Sequence, residues 1–384
     1  MTPLTKRPGR SRDLGPIKRK PLLAAAGVAL FIAVSRAEEP DIPPLPLWHP
    51  SFTVTTGAGY KDNTTLRNED PEESPFLKGG LEFFLMRLPL EGPEFQFTLS
   101  GDDVRYLSGD DVEREQLLFS NANISQEFGS QWQASFGLEF LYFDQVLDVS
   151  TVETNRVSEQ VRGEHIRAKP GIRRGVADHG IIELTFPVAR HWYSSPLDDD
   201  WEYGPNLGFI RPYGHESEWR VNFAYERRDY ENRPQTDEDG IEQSGSNLSF
   251  NQHRIEFVSR HHFDEEKHWR ATTKLGYKLN QDNGGGYFDY LRFQVSEQIR
   301  YRAKNWEISA EARVGFYEYV KQRVSDDDDS ERERGEVLVI LRVERQLARW
   351  LRAFGEYEFE QVLANDDIEE YSVNVVTAGL MWEF

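Results

Sequence analysis

From residue 51 to the end of the chain, hydrophobic and polar side chains alternate with a period of two. Trp306, Ile308, Ala310, Ala312, Val314 and Phe316 hold the even positions of one segment, while Glu307, Ser309, Glu311, Arg313, Gly315 and Tyr317 hold the odd ones. The same holds for Trp269 to Leu279 against Arg270 to Lys278, for Trp219 to Tyr225 and for Trp132 to Tyr142. Period two puts each set on its own face of a strand, whereas helical spacing would mix them. Counting such segments predicts strands near 51–60, 76–89, 94–106, 113–126, 131–147, 156–172, 180–193, 202–213, 217–230, 247–261, 267–281, 286–301, 305–321, 335–346, 350–363 and 371–384. Short connections such as Glu91-Gly92, Gly214 to Glu216 and Ala303-Lys304 alternate with longer acidic ones. The predicted fold is all-β, a transmembrane antiparallel up-and-down barrel of about 16 strands. Segments 113–126 and 156–172 alternate poorly, and Pro170, Pro187, Pro205 and Pro212 lie in or near strands, which leaves a range of 14 to 18. A soluble sandwich would alternate too, but with strands of about five or six residues. These segments are longer and match the roughly 9–11 residues of a tilted spanning strand plus its extension into loops.

The N-terminus adds a destination. A basic stretch (Lys6 to Lys20) precedes an apolar run, Pro21 to Val34, and then Ser35-Arg36-Ala37. This reads as a cleaved signal peptide over 1–37, since the run is shorter than the roughly 20 residues needed to span hydrocarbon as a helix. Residues 38–50 carry five prolines and read as an extended periplasmic linker, with the barrel over 51–384. Loss of the leader leaves 37 basic against 65 acidic residues, a net charge of −28. Such a polyanion excludes nucleic acid as a partner. Cysteine is absent, so pairing and burial must stabilise the fold without disulfides.

At the C-terminus, Val376, Ala378, Leu380, Trp382 and Phe384 share one strand face and the chain stops on the aromatic. With the export signal and the alternation over 51–384, this ending resembles the closing strand of Gram-negative outer-membrane β-barrel proteins. The resemblance implies that these five residues form the signal read by the barrel-assembly machinery, and that the protein is integral to the outer membrane and often a channel. The opening strand, with Gly59, Tyr60, Asp62 and Asn63, resembles porin-like bacterial barrels, some associated with exopolysaccharide export.

Sixteen strands leave an aqueous lumen where eight would be filled. The candidate lumen residues are Arg220, Glu226, Arg254, Glu256, Arg270, Lys274, Arg292, Glu311, Arg313, Arg342, Arg352, Glu356 and Glu358. Basic groups over 254–300 and acidic ones over 356–360 would set a transverse field, unless cross-strand pairing merely stiffens and hydrates the wall. The acidic connections, Asp198 to Asp200, Asp237 to Asp239, Asp326 to Asp329 and Asp366 to Glu370, read as solvated charge runs without the spacing of a calcium loop. His165, His191 and His253 fall on different strands, and His261-His262 lies at a predicted periplasmic rim. No catalytic set, metal site or cofactor follows from these. The expected partners are outer-membrane lipid, lipopolysaccharide and the assembly machinery. A homotrimer stays open, because outward Arg227, Glu297 and Glu318 are scattered. The expected function is an aqueous channel for passage or export of small hydrophilic solutes or glycans. The alternative is a non-conducting surface barrel, an adhesin or scaffold, with a hydrolase less favoured.

Overall fold

Alternating segments this long pair into one sheet that closes on itself. The computed structural model describes residues 46–90, 92–109, 111–151, 158–176, 179–214, 216–325 and 328–384. The expected signal peptide, 1–37, and the part of the expected linker up to residue 45 lie outside the described residues. Eighteen strand segments run in chain order: β1 Trp48–Lys61, β2 Ser74–Arg87, β3 Glu94–Tyr106, β4 Arg114–Phe128, β5 Trp132–Asp148, β6 Ser158–Val176, β7 Gly180–Thr185, β8 Val188–Tyr193 and β9 Asp200–Tyr203. They continue as β10 Asn206–Tyr213, β11 Ser217–Thr236, β12 Glu242–His262, β13 Trp269–Asp282, β14 Tyr290–Arg302, β15 Trp306–Ser325, β16 Asp328–Ala348, β17 Leu351–Ala364 and β18 Tyr371–Glu383. Neighbouring strands pair antiparallel all the way round, and β1 pairs with β18 from Thr53↔Glu383 to Lys61↔Val375, so the sheet closes on itself.

Eighteen segments make sixteen staves. β7 and β8 form one stave, since both pair with β6, and β9 and β10 form the next, since both pair with β11. The interruptions explain the prolines that blurred the count. Pro170, Pro187 and Pro205 lie side by side across three staves, at the unpaired stretch between Gly171↔Thr185 and Ala168↔Val188. Each proline lacks a donor there, but their carbonyls still accept from Phe186, Gly204 and Tyr225. Gly204 sits in this gap, where a Cβ would overlap the carbonyl of Tyr225. Gly204→Ala is therefore expected to lower stability by about 1–3 kcal/mol through strain in the backbone, read as a lower temperature for loss of the heat-modifiable band in detergent. An unchanged transition temperature would show that the gap has room to relax.

β1 begins at Trp48, three residues before the predicted start, so the end of the proline-rich segment is strand. Pro50 is tolerated there because pairing with β18 begins only at Thr53, leaving its missing N–H without a ladder to break. On the other face of the barrel rim, strands β11, β12, β15 and β16 run 20 to 21 residues, against 13 to 15 for β2 to β4. The extra length lies on the side of the longer connections. The barrel wall consequently rises in two hairpins, β11–β12 and β15–β16, with the 14- and 13-residue strands β13 and β14 between them.

Two girdles bound an apolar belt. Leu81, Phe136, Leu138, Phe223, Ile255, Phe293, Val314 and Val376 are exposed on the outer face. Trp48, Trp132, Trp219, Trp269, Trp306, Trp350 and Trp382 stand at the end with the short turns. Toward the other end the outward tyrosines donate to polar partners: Tyr203 to Asp229 and Tyr225 to Asn251 at 2.8 Å, and Tyr357 to Asn374 at 2.7 Å. Trp269 and Tyr277 are eight residues apart, which at about 3.3 Å per residue and a tilt near 40° gives roughly 20 Å of apolar height, close to the ~25 Å band of outer-membrane barrels.

Candidate functional site

The inner wall and the mouth of the barrel carry the chemistry. All thirteen predicted lumen residues lie on the strand face opposite the exposed apolar one, in register with buried Ala224, Thr272, Ser296 and Phe354. In a single-layer closed sheet a buried residue has only the interior to be buried in. None of the thirteen is itself buried.

The wall resolves into paired and unpaired charge. Arg342 meets Glu344 and Glu356 at 2.7 Å each, and Arg352 meets Glu344 at 3.3 Å and Glu383 at 2.9 Å. Arg292 reaches past β15 to Glu336 at 3.2 Å, and Arg313 pairs with Glu311 at 3.1 Å. Arg220 is 3.9 Å from Glu183, and Arg270 bonds only Gln298, at 3.5 Å. For Arg254, Lys274, Glu226 and Glu358 the described residues provide no ion pair, and Glu256 accepts only from Asn222, at 3.2 Å. Arg254, Lys274, Lys278 and Arg292, with Glu256 among them, line one cavity of 190 Å³ on the β12–β14 wall. A second, of 290 Å³, is lined by Glu356, Glu358, Glu360 and Glu115, with Lys61 and Lys78. Surplus positive charge thus gathers on one arc and surplus negative charge on another.

The mouth holds residues the sequence reading missed. Beyond Asp148 the chain turns inward, and Val149 and Ser150 are buried. The Ser150 carbonyl accepts from Arg332 at 3.1 Å, and its hydroxyl oxygen accepts from Arg334 at 2.7 Å. Arg334 also pairs with Asp148 at 2.5 Å, while Arg332 donates to Gln322 at 2.6 Å, pairs with Glu369 and covers the Tyr319 ring at 4.2 Å. β16 stands seven staves from β5 by the shorter way round, through β17, β18, β1, β2, β3 and β4. These contacts therefore tie nearly opposite walls together across the mouth. Beside them Tyr287 and Phe288 fold onto Tyr230, Leu248 and Phe250, narrowing the same end.

The expectation that the acidic runs are solvated is corrected at two points. Glu369 is buried against Arg332, and Asp200 is buried 2.7 Å from His191 Nδ1 and 3.7 Å from Arg228. A carboxylate next to a guanidinium can lose its water without losing a partner, which a run of aspartates in sequence does not reveal. His165 and His191 are direct cross-strand partners with ring centroids 4.8 Å apart, and His253 instead packs on outward Tyr225 at 5.2 Å. At the rim of short turns, Asp264, Glu266 and His268 come together. The Asp264 carboxylate is occupied there by the backbone N–H groups of Trp269 and His268 at 2.9 Å, which hold it below the usual carboxylate range. That carboxylate is a turn cap.

No family model matches the chain, and no curated protein does. Among solved structures it is similar to OccAB1 of Acinetobacter baumannii at 10% identity and a TM-score of 0.47, over 88% of this chain and 97% of that one. It is also similar to OpdK of Pseudomonas aeruginosa with vanillate, at 9% identity and 0.46 over 87% and 98%. A third is a bacterial polysaccharide outer membrane secretin, at 10% and 0.41 over 87% and 98%. The barrel's own features carry the assignment: closure over sixteen staves, an exposed apolar belt between aromatic girdles, and a charged interior. The chain is an integral β-barrel protein of the outer membrane, narrowed at its mouth.

Proposed function

We propose that this barrel is an aqueous channel for small hydrophilic solutes, selective by charge and constricted at the end of the longer loops. The observation that carries the proposal is the separation of unpaired charge on the inner wall. Among the described residues Arg254, Lys274 and Lys278 form no ion pair and outnumber Glu256 on one arc, while Glu358 forms none and Glu115, Glu356, Glu358 and Glu360 outnumber Lys61 and Lys78 on another. A non-conducting scaffold would gain nothing from leaving such groups unpaired, because unpaired charge facing a narrow interior costs solvation. A solute with separated charges would orient in the resulting field, and an anion would be drawn along the basic arc. Neighbouring opposite charges elsewhere on the wall, such as Arg342 with Glu344 and Glu356, act as hydrated stiffening. The wide sixteen-stave bore leaves room for passage of a glycan chain only if the tie across the mouth opens, so small solutes are the favoured cargo. We assign no catalytic role to His165, His191 and Asp200, whose contacts are with each other and with flanking arginines.

The test is ion selectivity in planar bilayers. Reversing Arg270 and Lys274 to glutamate should shift preference from anions toward cations. At about 6 Å in water one unit charge is worth ~0.7 kcal/mol, or about threefold in permeability ratio for each charge changed. A selectivity unmoved by the double reversal would remove the charge-selective channel, and a silent bilayer would favour the scaffold.

A further inference from the structure

The outer face of β2 to β6 carries an arrangement that the channel reading does not use. Three successive rungs join β3 to β4 on this face: Gly101↔Leu118, Asp103↔Gln116 and Arg105↔Arg114. They share the face of exposed Leu77 and Leu81, with Leu77 paired to Arg105 and Leu81 to Gly101. Going from the belt toward the side of the longer loops, the surface therefore passes from apolar through neutral to doubly cationic. Like charges set directly opposite on neighbouring strands destabilise the pair. The cost is not relieved within the sheet, where Arg105 pairs only with Asp103 of its own strand at 2.8 Å. Arg114 shares Asp144 with Arg162 of the next stave but one, at 3.9 and 3.0 Å. Asp144 is nearly buried, whereas the side chains of Arg105, Arg114 and Arg162 remain 68%, 45% and 56% exposed. Three guanidinia are thus held over two carboxylates at the upper edge of the apolar belt. A 520 Å³ cavity lined by Arg114, Arg162, Gln160 and Ser194 lies there, closed on the loop side by Glu113 and by Asp111, which pairs with Arg67 at 3.0 Å.

Directly below the arginines the surface is grooved. Gly79 and Gly101 leave its floor without side chains, and Leu81, Leu118 and Tyr142 form its walls, around 410 Å³ of open space. A Cβ at Gly79 would meet nothing within 4 Å. An acyl chain fits a groove of this kind, and guanidinia at its upper end fit the phosphate attached to that chain.

We propose that this face is a lipid A site, in which Arg105, Arg114 and Arg162 bind a phosphate of lipopolysaccharide and the Gly79–Gly101 groove seats one of its acyl chains. The site rests on the outer-membrane placement and not on conduction. Asp111 and Glu113 line the same cavity, with Asp111 already held by Arg67, so the phosphate is drawn by the guanidinium hydrogen bonds rather than by a net positive charge.

The full-length barrel, purified in detergent and incorporated in nanodiscs, would be weighed by native mass spectrometry after addition of bis-phosphorylated lipid A, of the same lipid dephosphorylated, or of phosphatidylglycerol. Retention of lipid A should exceed that of the other two by tenfold or more. Arg105→Glu with Arg114→Glu and Arg162→Glu should lose it at least tenfold, and Gly79→Phe should lose it with every charge intact. The heat-modifiable gel shift reports folding of each variant. If the triple reversal fails to fold, Arg105→Gln with Arg114→Gln takes its place. Equal retention by the charge variants, or equal binding of dephosphorylated lipid A or phosphatidylglycerol, would overturn the site. Bilayer conductance should be the same in all variants, because the residues face outward. A wild-type barrel that binds lipid A but stays silent would overturn the channel alone.

Discussion

Deletion of Tyr371 to Phe384 is expected to abolish the assembled barrel, leaving no heat-modifiable species in outer-membrane extracts. β18 is the only strand that joins β17 to β1, through Leu351↔Trp382 to Val362↔Tyr371 on one side and Thr53↔Glu383 to Lys61↔Val375 on the other. Without it two full-length edges open inside hydrocarbon, where each unpaired backbone group costs several kcal/mol. A graded version separates closure from recognition. Leu380→Arg places a charge on the exposed outward face of the same strand and should cost about 2–4 kcal/mol, depending on its depth. Deleting Phe384 alone removes its backbone bonds with Phe52, at 2.9 and 3.2 Å, and the ring beside Phe52. Its effect should fall on assembly yield in cells more than on the unfolding transition of the purified protein. Normal yield after loss of the terminal aromatic would remove its role as an assembly signal.

Arg332→Met should have the second largest effect. The substitution takes the nearest guanidinium from buried Glu369, leaving Arg334 at 4.0 Å, and strips a partner from Gln322 and from the Ser150 carbonyl. Breaking a buried pair by removing one member costs about 3–5 kcal/mol. The wall itself keeps its ladders, so the loss should appear as a loosened mouth rather than an unfolded barrel. Single-channel conductance is expected to rise, with more frequent transitions between levels, while the heat-modifiable shift survives. Arg332→Met with Glu369→Met, which removes both charges, should recover most of the stability and keep the larger conductance. An unaltered conductance in both variants would show that the tie does not lie on the permeation path.

Sixteen staves were legible because a lipid-facing wall writes itself into sequence as alternation, and the segments built on Trp219, Trp269 and Trp306 alternate without a fault. The same parity placed Arg220, Arg254 and Glu356 on the inner face, since one face of a single-layer sheet fixes the other. Segment 156–172 was obscured at Pro170, and Pro187 and Pro205 left the strand count open, since their alignment across neighbouring staves is a relation between strands and leaves no trace along one of them. Residues 217–230 and 335–346 were read too short, because the upper parts of these strands stand clear of lipid and no longer need to alternate. The mouth was illegible for a related reason. Arg332 and Arg334 sit in a run of alternating charge that looks solvated, and contacts far along the chain, with Ser150, 182 residues away, and with Glu369, remove the water.

The unequal strand lengths bear on how anything arrives at the opening. Some six residues separate β11, β12, β15 and β16 from β2 to β4, which at about 3.3 Å each along a tilted strand is a step of roughly 15 Å. The entrance is therefore notched, with the β11–β12 and β15–β16 hairpins standing above the 14- and 13-residue strands β13 and β14 between them. If the lumen conducts as proposed, a small solute has its shortest way in over the low lip beside β2 to β4.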